Sequence, residues 1–377
     1  MKYPLFNPYT SEEMELITKN VISSKNIATG KYVDIFEDGL KEMVGCPYLV
    51  TTNNMSSALF LALWLAGVRR GDEVLTTSFA CMATNAPISW LGATPVWLDL
   101  AKNSLFIDSN LIEQNINDKT KAIIVYHIAG YPTPMEDIRV ICKRKGIKII
   151  EDCNNALLAK DSTGIIGSSS DYSIYSFYPN RQINGIDGGA LICQKHSDYI
   201  IAKKMIKFGI DTANFRDSNG EIKDIDISNI GWSITMNNLN CAVAATQLST
   251  VENRIEKTVK NANLFNSIIK SKLDIQEYKF AEGSTPSYWA LILRLKGTDK
   301  EKLISNLRNH EIQASSLHYS NDTYSGFGSK KTDLHNTYLL QKELLALPIG
   351  FWMSESDIYH VASTFIIEYK NSISTYK

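Results

Sequence analysis

Short apolar runs alternate with helical patterns over the first two thirds of the chain, and this alternation constrains the fold most. Runs rich in Val and Ile and bounded by Gly, Pro or Asp are predicted strands. They are Glu73–Thr76, Thr94–Leu98, Ala122–Tyr126, Ile147–Ile150, Tyr172–Ser176 and Ala190–Cys193. Segments of helical period lie between several of them, as in Ser57–Ala66 and Met135–Lys145. The pattern predicts a three-layer α/β fold with about seven mostly parallel strands, whose ligands bind at the carboxyl ends of the strands.

The pattern changes after about residue 245, and we place a domain boundary there, with residues 1–250 forming a large α/β domain and 251–377 a small α+β domain. Glu252–Leu273 has the spacing of one long helix. Tyr288–Leu295 is strand-like and Asp299–Asn309 helix-like. Two polar stretches, Asp211–Asp226 and Ser325–Lys331, are predicted loops.

Composition excludes several classes of protein. The 377-residue chain has a formal net charge of -1, which gives no reason to expect nucleic acid as a partner. Its six cysteines lack metal-ligand spacing, so we expect no metal and predict buried free thiols in a reducing compartment. No apolar run approaches the ~20 residues that span a bilayer. Because Met1–Pro4 does not open an apolar signal segment, we expect a cytoplasmic location without a membrane partner.

A polar turn leads straight into an apolar helix at Thr51–Leu59. The first-turn N–H groups of a helix have no intrahelical partners, and the helix dipole is positive there, so Met55 and Ser56 are candidates for binding a phosphate. Ordinary capping by Asn54 or Ser56 explains the same residues equally well at this stage.

A buried strand ends in two carboxylates at Glu151-Asp152, followed by Cys153 and two asparagines. A carboxylate at a strand's carboxyl end is well placed to hold a protonated ring nitrogen through a charge-assisted bond. Capping of the strand end is the alternative interpretation.

The stretch Tyr175–Gly189 indicates a strand, an irregular loop and a Gly-Gly step into another strand. Ser176 is a candidate phosphate ligand, and Arg181 can pair with an anion bidentately. We expect Gly188 and Gly189 to adopt backbone conformations that other residues rarely adopt. An ordinary connection with a surface arginine is the alternative. His318 opens a later loop, and His127 follows an apolar strand, where a hydrogen-bonded core histidine is the usual outcome.

Together these residues resemble the nucleotide-sugar aminotransferases of the DegT/StrS group, which have the fold-type I architecture. The resemblance covers nearly the whole chain, and the order and spacing of its short pieces are specific. The matching pieces are Thr29-Gly30 with Phe36-Glu37, Gly71-Asp72-Glu73-Val74, Gly92–Val96 with Asp99, His127 with Gly130 and Pro132, Glu151-Asp152-Cys153, Ser176–Asn180, His318-Tyr319 and Leu347-Pro348.

The resemblance implies a cofactor, a substrate class and a partner. Asp152 would hold the pyridine nitrogen of pyridoxal phosphate, and Met55, Ser56 and Ser176 would cradle its phosphate. Asn155 stands where the family has a residue near the ring oxygen. Members of the family are dimers that act on nucleotide-linked keto sugars, usually with glutamate as amino donor, so we expect a homodimer.

The departures from the family pattern concern catalysis. Arg181 occupies the position of the Schiff-base lysine. Arginine stays protonated, so it can neither attack an aldehyde nor shuttle protons. Cys81 stands at the position of the ring-stacking aromatic residue, and Ser233 begins the segment that reaches the partner's phosphate.

Three hypotheses follow. The chain can be an aminotransferase-like enzyme on a nucleotide-linked keto sugar in surface-polysaccharide or deoxyamino-sugar biosynthesis, with pyridoxal or pyridoxamine phosphate bound non-covalently. A variant of this hypothesis is a pyridoxamine-phosphate-dependent sugar dehydratase; in either case Tyr178 or His318 would move protons. The second hypothesis is an ordinary aminotransferase in which another lysine reaches the cofactor, Lys160 being the nearest before Arg181 in sequence. The third hypothesis is a cofactor-free binding or regulatory homologue, or an enzyme with new chemistry in the same cleft.

Overall fold

The computed structural model describes residues 1–275, 283–328 and 333–373. Its strands are β1 Leu49–Thr52, β2 Glu73–Thr77, β3 Thr94–Leu98, β4 Thr120–Tyr126, β5 Lys148–Asp152, β6 Lys160–Asp161, β7 Gly164–Ile165, β8 Tyr172–Ser176, β9 Gly189–Cys193, β10 Leu291–Arg294 and β11 Leu344–Leu347. Its α-helices are α1 Glu12–Ser24, α2 Tyr32–Val44, α3 Met55–Leu65, α4 Met82–Trp90, α5 Ser109–Asn115, α6 Glu136–Lys145, α7 His196–Met205, α8 Asn238–Ala245, α9 Val251–Lys270, α10 Lys300–Asn309, α11 His335–Glu343 and α12 Glu355–Ser372.

The central sheet has seven strands in the order β1-β9-β8-β5-β4-β2-β3. Neighbours from β8 to β3 run parallel, whereas β9 is antiparallel to both β8 and β1. The predicted mostly parallel α/β sheet is therefore confirmed. The six predicted strands are present with ends shifted by no more than two residues. The prediction missed β1, because only Leu49 and Val50 of its four residues are apolar.

The sheet separates two apolar cores, which explains the continuous apolar runs of its central strands. Ile123 and Val125 of β4 pack into one core, whereas Ala122 and Ile124 pack into the other. Successive side chains of a strand point to opposite faces, so both faces must be covered by helices. Each such Ile or Val contributes about 1.5–3 kcal/mol through burial.

The elements after residue 250 follow the predicted types. The long helix begins at Val251 and ends at Lys270, slightly before the predicted end, and the predicted strand 288–295 is limited to Leu291–Arg294. Leu291 and Phe365 share an apolar core with Ile123 of the central sheet, so the C-terminal part packs directly on the sheet. The domain division at 250/251 stays a prediction.

The predicted loops correspond only in part to irregular structure. No helix or strand is assigned within 211–226, which the structure describes throughout. The other predicted loop begins with a short 3-10 helix, Ser325–Phe327, and its residues 329–331 lie outside the described ranges. Of the helices in the described ranges, none combines the length and apolar composition that crossing a bilayer requires.

Candidate active site

A cavity of about 520 Å³ lies where several loops and strand ends meet. It collects most of the site residues that the sequence predicts. The described residues that line it are Asn54, Met55, Ser56, Cys81, Ala83, Asn155, Ser176, Tyr178, Asn180, Arg181, Asp187, Trp289, Leu317 and His318. Ser176 ends β8, and Asn155 follows β5 by three residues, so the carboxyl ends of two sheet strands reach this cavity as expected.

The start of α3 forms one wall of the cavity. The Asn54 side chain accepts a hydrogen bond from the Ser57 N–H at 2.9 Å and caps the helix. The cap uses only the Ser57 N–H. The N–H groups of Met55 and Ser56 come before it and have no partner within the helix, so they remain available to a phosphate. An anion placed here would meet free N–H groups and the positive end of the helix dipole.

Gly189 allows β9 to approach this helix start closely. A Cβ atom at residue 189 would lie 2.7 Å from the backbone of Asn54 and of Met55. Neither Gly188 nor Gly189 has a positive φ, so our expectation of unusual backbone shapes at these two positions was wrong. Within this loop, Ile186 has a positive φ, of 65°. Glycine is needed at residue 189 for space.

The loop 177–188 carries Arg181 into the cavity wall. The Arg181 guanidinium lies over the Trp289 ring, with its central carbon 4.9 Å from the ring centroid, and donates a hydrogen bond to the Asn180 side chain. Trp289 in turn donates from Nε1 to the Asn180 carbonyl at 2.7 Å. Burial lowers the pKa of Arg181, while the nearby Tyr126 and Asp152 oppose the shift. The side chain is half-buried and is not a freely solvated surface arginine.

Asp152 is fully buried at the end of β5, and it does not line the cavity. Its Oδ2 accepts a 2.7 Å bond from the Thr84 hydroxyl, and its Oδ1 accepts bonds from the backbone and side chain of Asn154 at 3.1 and 2.7 Å. Burial raises the pKa of this carboxyl, although the Thr84 and Asn154 bonds oppose the shift. Asp152 therefore lies behind the cavity wall, and both of its oxygens are bonded within the protein.

A hydrogen-bonded chain joins Asn155, Tyr126 and His318. Asn155 donates from Nδ2 to the Tyr126 hydroxyl at 2.7 Å, and that hydroxyl lies 3.1 Å from Nε2 of His318. Burial, with help from the positive charge of Arg181, lowers the pKa of His318 to about 3. The imidazole is therefore neutral at neutral pH.

Tertiary contacts hold His318 in this position. The hydroxyl groups of Ser78 and Ser320 are 2.6 Å apart, and the Asn321 N–H donates to the Ser78 carbonyl at 2.8 Å. Asn85 also donates to the Asn321 side chain at 2.9 Å. These bonds join the loop after β2 and helix α4 to the segment that carries His318.

The remaining predicted residues occupy different positions. Cys81 lines the cavity and is exposed, whereas the five other cysteines are buried, so the prediction of buried thiols fails for this one residue. Tyr178 lines the cavity and is 54% exposed. Ser233 lies outside the described lining and pairs with Lys207 through an isolated bridge. The sequence argument missed Tyr126, Thr84 and Trp289; only Tyr126 had a signal, as the last residue of a predicted strand.

His127 is a hydrogen-bonded core histidine, as the sequence suggested. Its Nε2 lies 2.9 Å from a Glu151 oxygen, and its Nδ1 accepts from the Thr133 N–H at 3.0 Å. His127, Glu151 and Cys153 form a compact buried group with metal-binding atom types. Glu151 also accepts from the Gly167 N–H and the Ser170 hydroxyl, so its oxygens are already bonded within the protein. We assign this group to the core.

The architecture is that of the fold-type I aminotransferases. A family model described as the DegT/DnrJ/EryC1/StrS aminotransferase family matches residues 8–366, and the chain belongs to this family. It is 28% identical over 334 residues to GDP-perosamine synthase of Escherichia coli O157:H7, covering 88% of each chain. It is 25% identical over 369 residues to the spore coat polysaccharide biosynthesis protein SpsC of Bacillus subtilis strain 168, covering 94% of each.

A solved structure extends the likeness to three dimensions. The sugar aminotransferase CalS13 from Micromonospora echinospora superimposes with a TM-score of 0.90 at 25% identity. The match covers 97% of this chain and 99% of that one. The resemblance that the motifs indicate is therefore confirmed over nearly the full length.

Proposed function

We propose that this protein acts on a nucleotide-linked keto sugar in surface-polysaccharide or deoxyamino-sugar biosynthesis, with pyridoxal or pyridoxamine phosphate held non-covalently in the cavity. Membership of the aminotransferase family supports the reaction class. The names of its relatives, a GDP-perosamine synthase and a spore coat polysaccharide protein, support the substrate class.

One observation carries the non-covalent part of the proposal. Among the described residues that line the cavity there is no lysine, and Arg181 stands where the family's covalent lysine is expected. Lys160, the nearest lysine before Arg181 in sequence, is exposed and pairs with Ile165 and Thr285 away from the lining. A guanidinium keeps its proton at physiological pH and offers no lone pair to an aldehyde.

Polar groups of the cavity wall support binding of the cofactor at its phosphate and at its ring hydroxyl. The N–H groups of Met55 and Ser56, with the Ser176 hydroxyl, offer donors to a phosphate. The buried Oδ1 of Asn155 has no hydrogen-bond partner among the described residues, so an acceptor is available for a ring hydroxyl. Asp152 would favour a protonated ring nitrogen through its charge. When bound, the cofactor would supply an electron sink for chemistry at the sugar carbonyl.

In the proposed reaction, residues other than Arg181 must transfer the proton. His318 is neutral and lines the cavity, so its imidazole is one candidate to accept a proton from a bound substrate. Tyr126 is not a candidate, because burial raises the pKa of its hydroxyl. The Tyr178 hydroxyl makes no hydrogen bond to a described residue and is exposed at the cavity. We propose that His318 or Tyr178 transfers the proton.

Equilibrium dialysis of the purified protein with pyridoxal phosphate and, separately, pyridoxamine phosphate tests the cofactor proposal. We expect one reversible site for each, lost or weakened at least about tenfold when Ser176→Ala removes a phosphate contact. Ser356→Ala, on the exposed start of α12, is the matched control. Absence of any binding would favour the cofactor-free hypothesis.

Product analysis tests the reaction. The protein is incubated with pyridoxamine phosphate and a nucleotide-linked 4-keto sugar, and the sugar is examined by mass spectrometry. Gain of an amino group supports the proposal, and loss of a hydroxyl supports the dehydratase instead. An unchanged sugar in the presence of bound cofactor would contradict both.

A further inference from the structure

A second, smaller pocket adjoins the loop that carries Arg181. Its volume is about 40 Å³, and it shares Asn180, Arg181 and Trp289 with the main cavity. A cavity needs roughly 10–15 Å³ to hold one water, so this pocket has room for about three waters or one group of similar size. Asn7, on its lining, is exposed and gives a route from solvent.

Arg254 of α9 places a buried positive charge on this pocket. Its side chain is 9% exposed, and its guanidinium carbon lies 3.9 Å from the Tyr9 ring centroid and 5.3 Å from that of Phe351. Nη1 donates to the Gln182 carbonyl at 2.9 Å. No Asp or Glu is among the described residues lining the pocket. The charge is therefore held by aromatic rings and neutral acceptors, without a neutralising carboxylate.

Three donors of the pocket lack acceptors. Nε of Arg254, Nε of Arg181 and Nε1 of Trp352 are buried and make no hydrogen bond to a described residue. All three side chains line the same pocket. A buried donor without a partner is costly, and three of them around one small space indicate that an acceptor belongs there.

We propose that this pocket binds the carboxylate group of a small organic acid, held by Arg254, Arg181 and the indole N–H of Trp352. A carboxylate only accepts hydrogen bonds, and its planar form suits guanidinium forks between aromatic faces. Its size matches the volume, with the remainder of the acid extending past Asn7. The site does not depend on the cofactor, because none of these three donors is assigned to holding it.

Isothermal titration calorimetry of the full chain without cofactor tests this site. The probes are acetate, succinate and inorganic phosphate at constant ionic strength. We expect both carboxylates to bind, and Arg254→Gln to weaken them at least about tenfold, the loss typical of one charge-assisted bond. Trp352→Phe keeps an aromatic ring and removes one donor, so it should weaken the binding of both carboxylates several-fold even if Arg254→Gln fails to fold. Arg144→Gln, on an exposed arginine paired with Glu113, is the matched control and should change nothing.

Two outcomes would overturn the proposal. Phosphate binding without carboxylate binding would assign the pocket to a tetrahedral anion. Failure of every probe, or equal binding by the wild type, Arg254→Gln and Trp352→Phe, would mean that water alone satisfies these donors.

Discussion

Arg181 lines the main cavity, and we propose that it prevents a covalent link to a cofactor there. Its guanidinium stacks on Trp289 and bonds to Asn180, so the side chain is fixed in the cavity wall, and the family resemblance predicts a lysine at this position. Arginine and lysine are not equivalent here, because only lysine has an amine that can lose its proton when buried. On this proposal, the cavity keeps a side chain at the position of the nucleophile but without the chemistry of an amine.

Borohydride reduction after loading with pyridoxal phosphate should leave the native protein without a covalently fixed cofactor. The variant Arg181→Lys should gain one fixed cofactor per chain, on Lys at residue 181, because an amine would then face the aldehyde. Intact-protein mass spectrometry with peptide mapping measures both. A stoichiometric adduct on a cavity lysine of the native protein would show that another residue replaces the missing nucleophile.

His318 should make stability depend on pH. Burial and Arg181 lower its pKa from 6.5 to about 3 in the folded protein. Between these values the unfolded chain binds a proton that the folded chain does not, so stability is full above pH ~6.5 and falls as pH decreases towards 3. Relative to His318→Asn, the wild type should lose at most about 1.4 kcal/mol per pH unit in this window.

Urea unfolding of both proteins between pH 6.5 and about 4.5 measures the difference, and the exposed His335→Asn is the control. Parallel curves for the wild type and His318→Asn would mean that the folded histidine titrates normally.

At the scale of elements, the start of α3 depends on close contact with β9. Gly189→Ala would place a methyl group 2.7 Å from backbone atoms that cannot move without shifting the helix start. We expect a loss of about 1–3 kcal/mol, the usual cost of overpacking, together with weaker phosphate binding. Gly326→Ala, where an added Cβ meets nothing within 4 Å, is the matched control. Unfolding and equilibrium dialysis that show equal effects for the two variants would contradict this contact.

Another helix start is capped from a distant part of the chain. Asp99, after β3, accepts from the Asn336 N–H at 2.9 Å and from the Thr337 N–H at 2.8 Å, at the beginning of α11. Leu334, which precedes this helix, provides no side-chain cap. The negative charge also meets the positive end of the helix dipole. One carboxylate therefore ties the C-terminal part to the central sheet.

At the scale of the whole molecule, Asp99→Ala should loosen this connection. The loss of two charge-assisted bonds from backbone N–H groups, and of a third from the Thr337 hydroxyl, should reduce the free energy of unfolding by about 2–4 kcal/mol. Asp118→Ala, on an exposed loop, should change it by less than about 0.5 kcal/mol. Denaturant unfolding compares the two, and equal stability of both variants would mean that the Asp99 bonds contribute nothing.

We also expect a homodimer whose cavity lies at the subunit boundary. The basis is the family resemblance through the segment 231–240. Light scattering at micromolar concentration should give about twice the 42.2 kDa chain mass. A monomer under these conditions would contradict the prediction and remove Ser233 as a candidate contact to a partner's cofactor.

Much of the central sheet follows from local sequence. The apolar runs at β4 and β5 and the intervening helical period determine which segments form strands and helices, because each strand must bury both faces. Ser176, Asn155 and Arg181 are likewise placed near the cavity by their positions at strand ends and in the following loop. β1 is the exception, since four residues with two threonines carry little apolar signal.

Only the tertiary structure decided which distant residues meet and how their polar atoms are paired. Tyr126 and His318 are 192 positions apart, and their bond depends on the docking of the loop that carries His318 onto Ser78. Asp152 was identified from its strand end, but its oxygens are taken by Thr84 and Asn154, which no local pattern reveals. The pocket at Arg254 arises in the same way. Residue spacing specifies periodic burial within an element, whereas hydrogen-bond partners depend on how the elements pack.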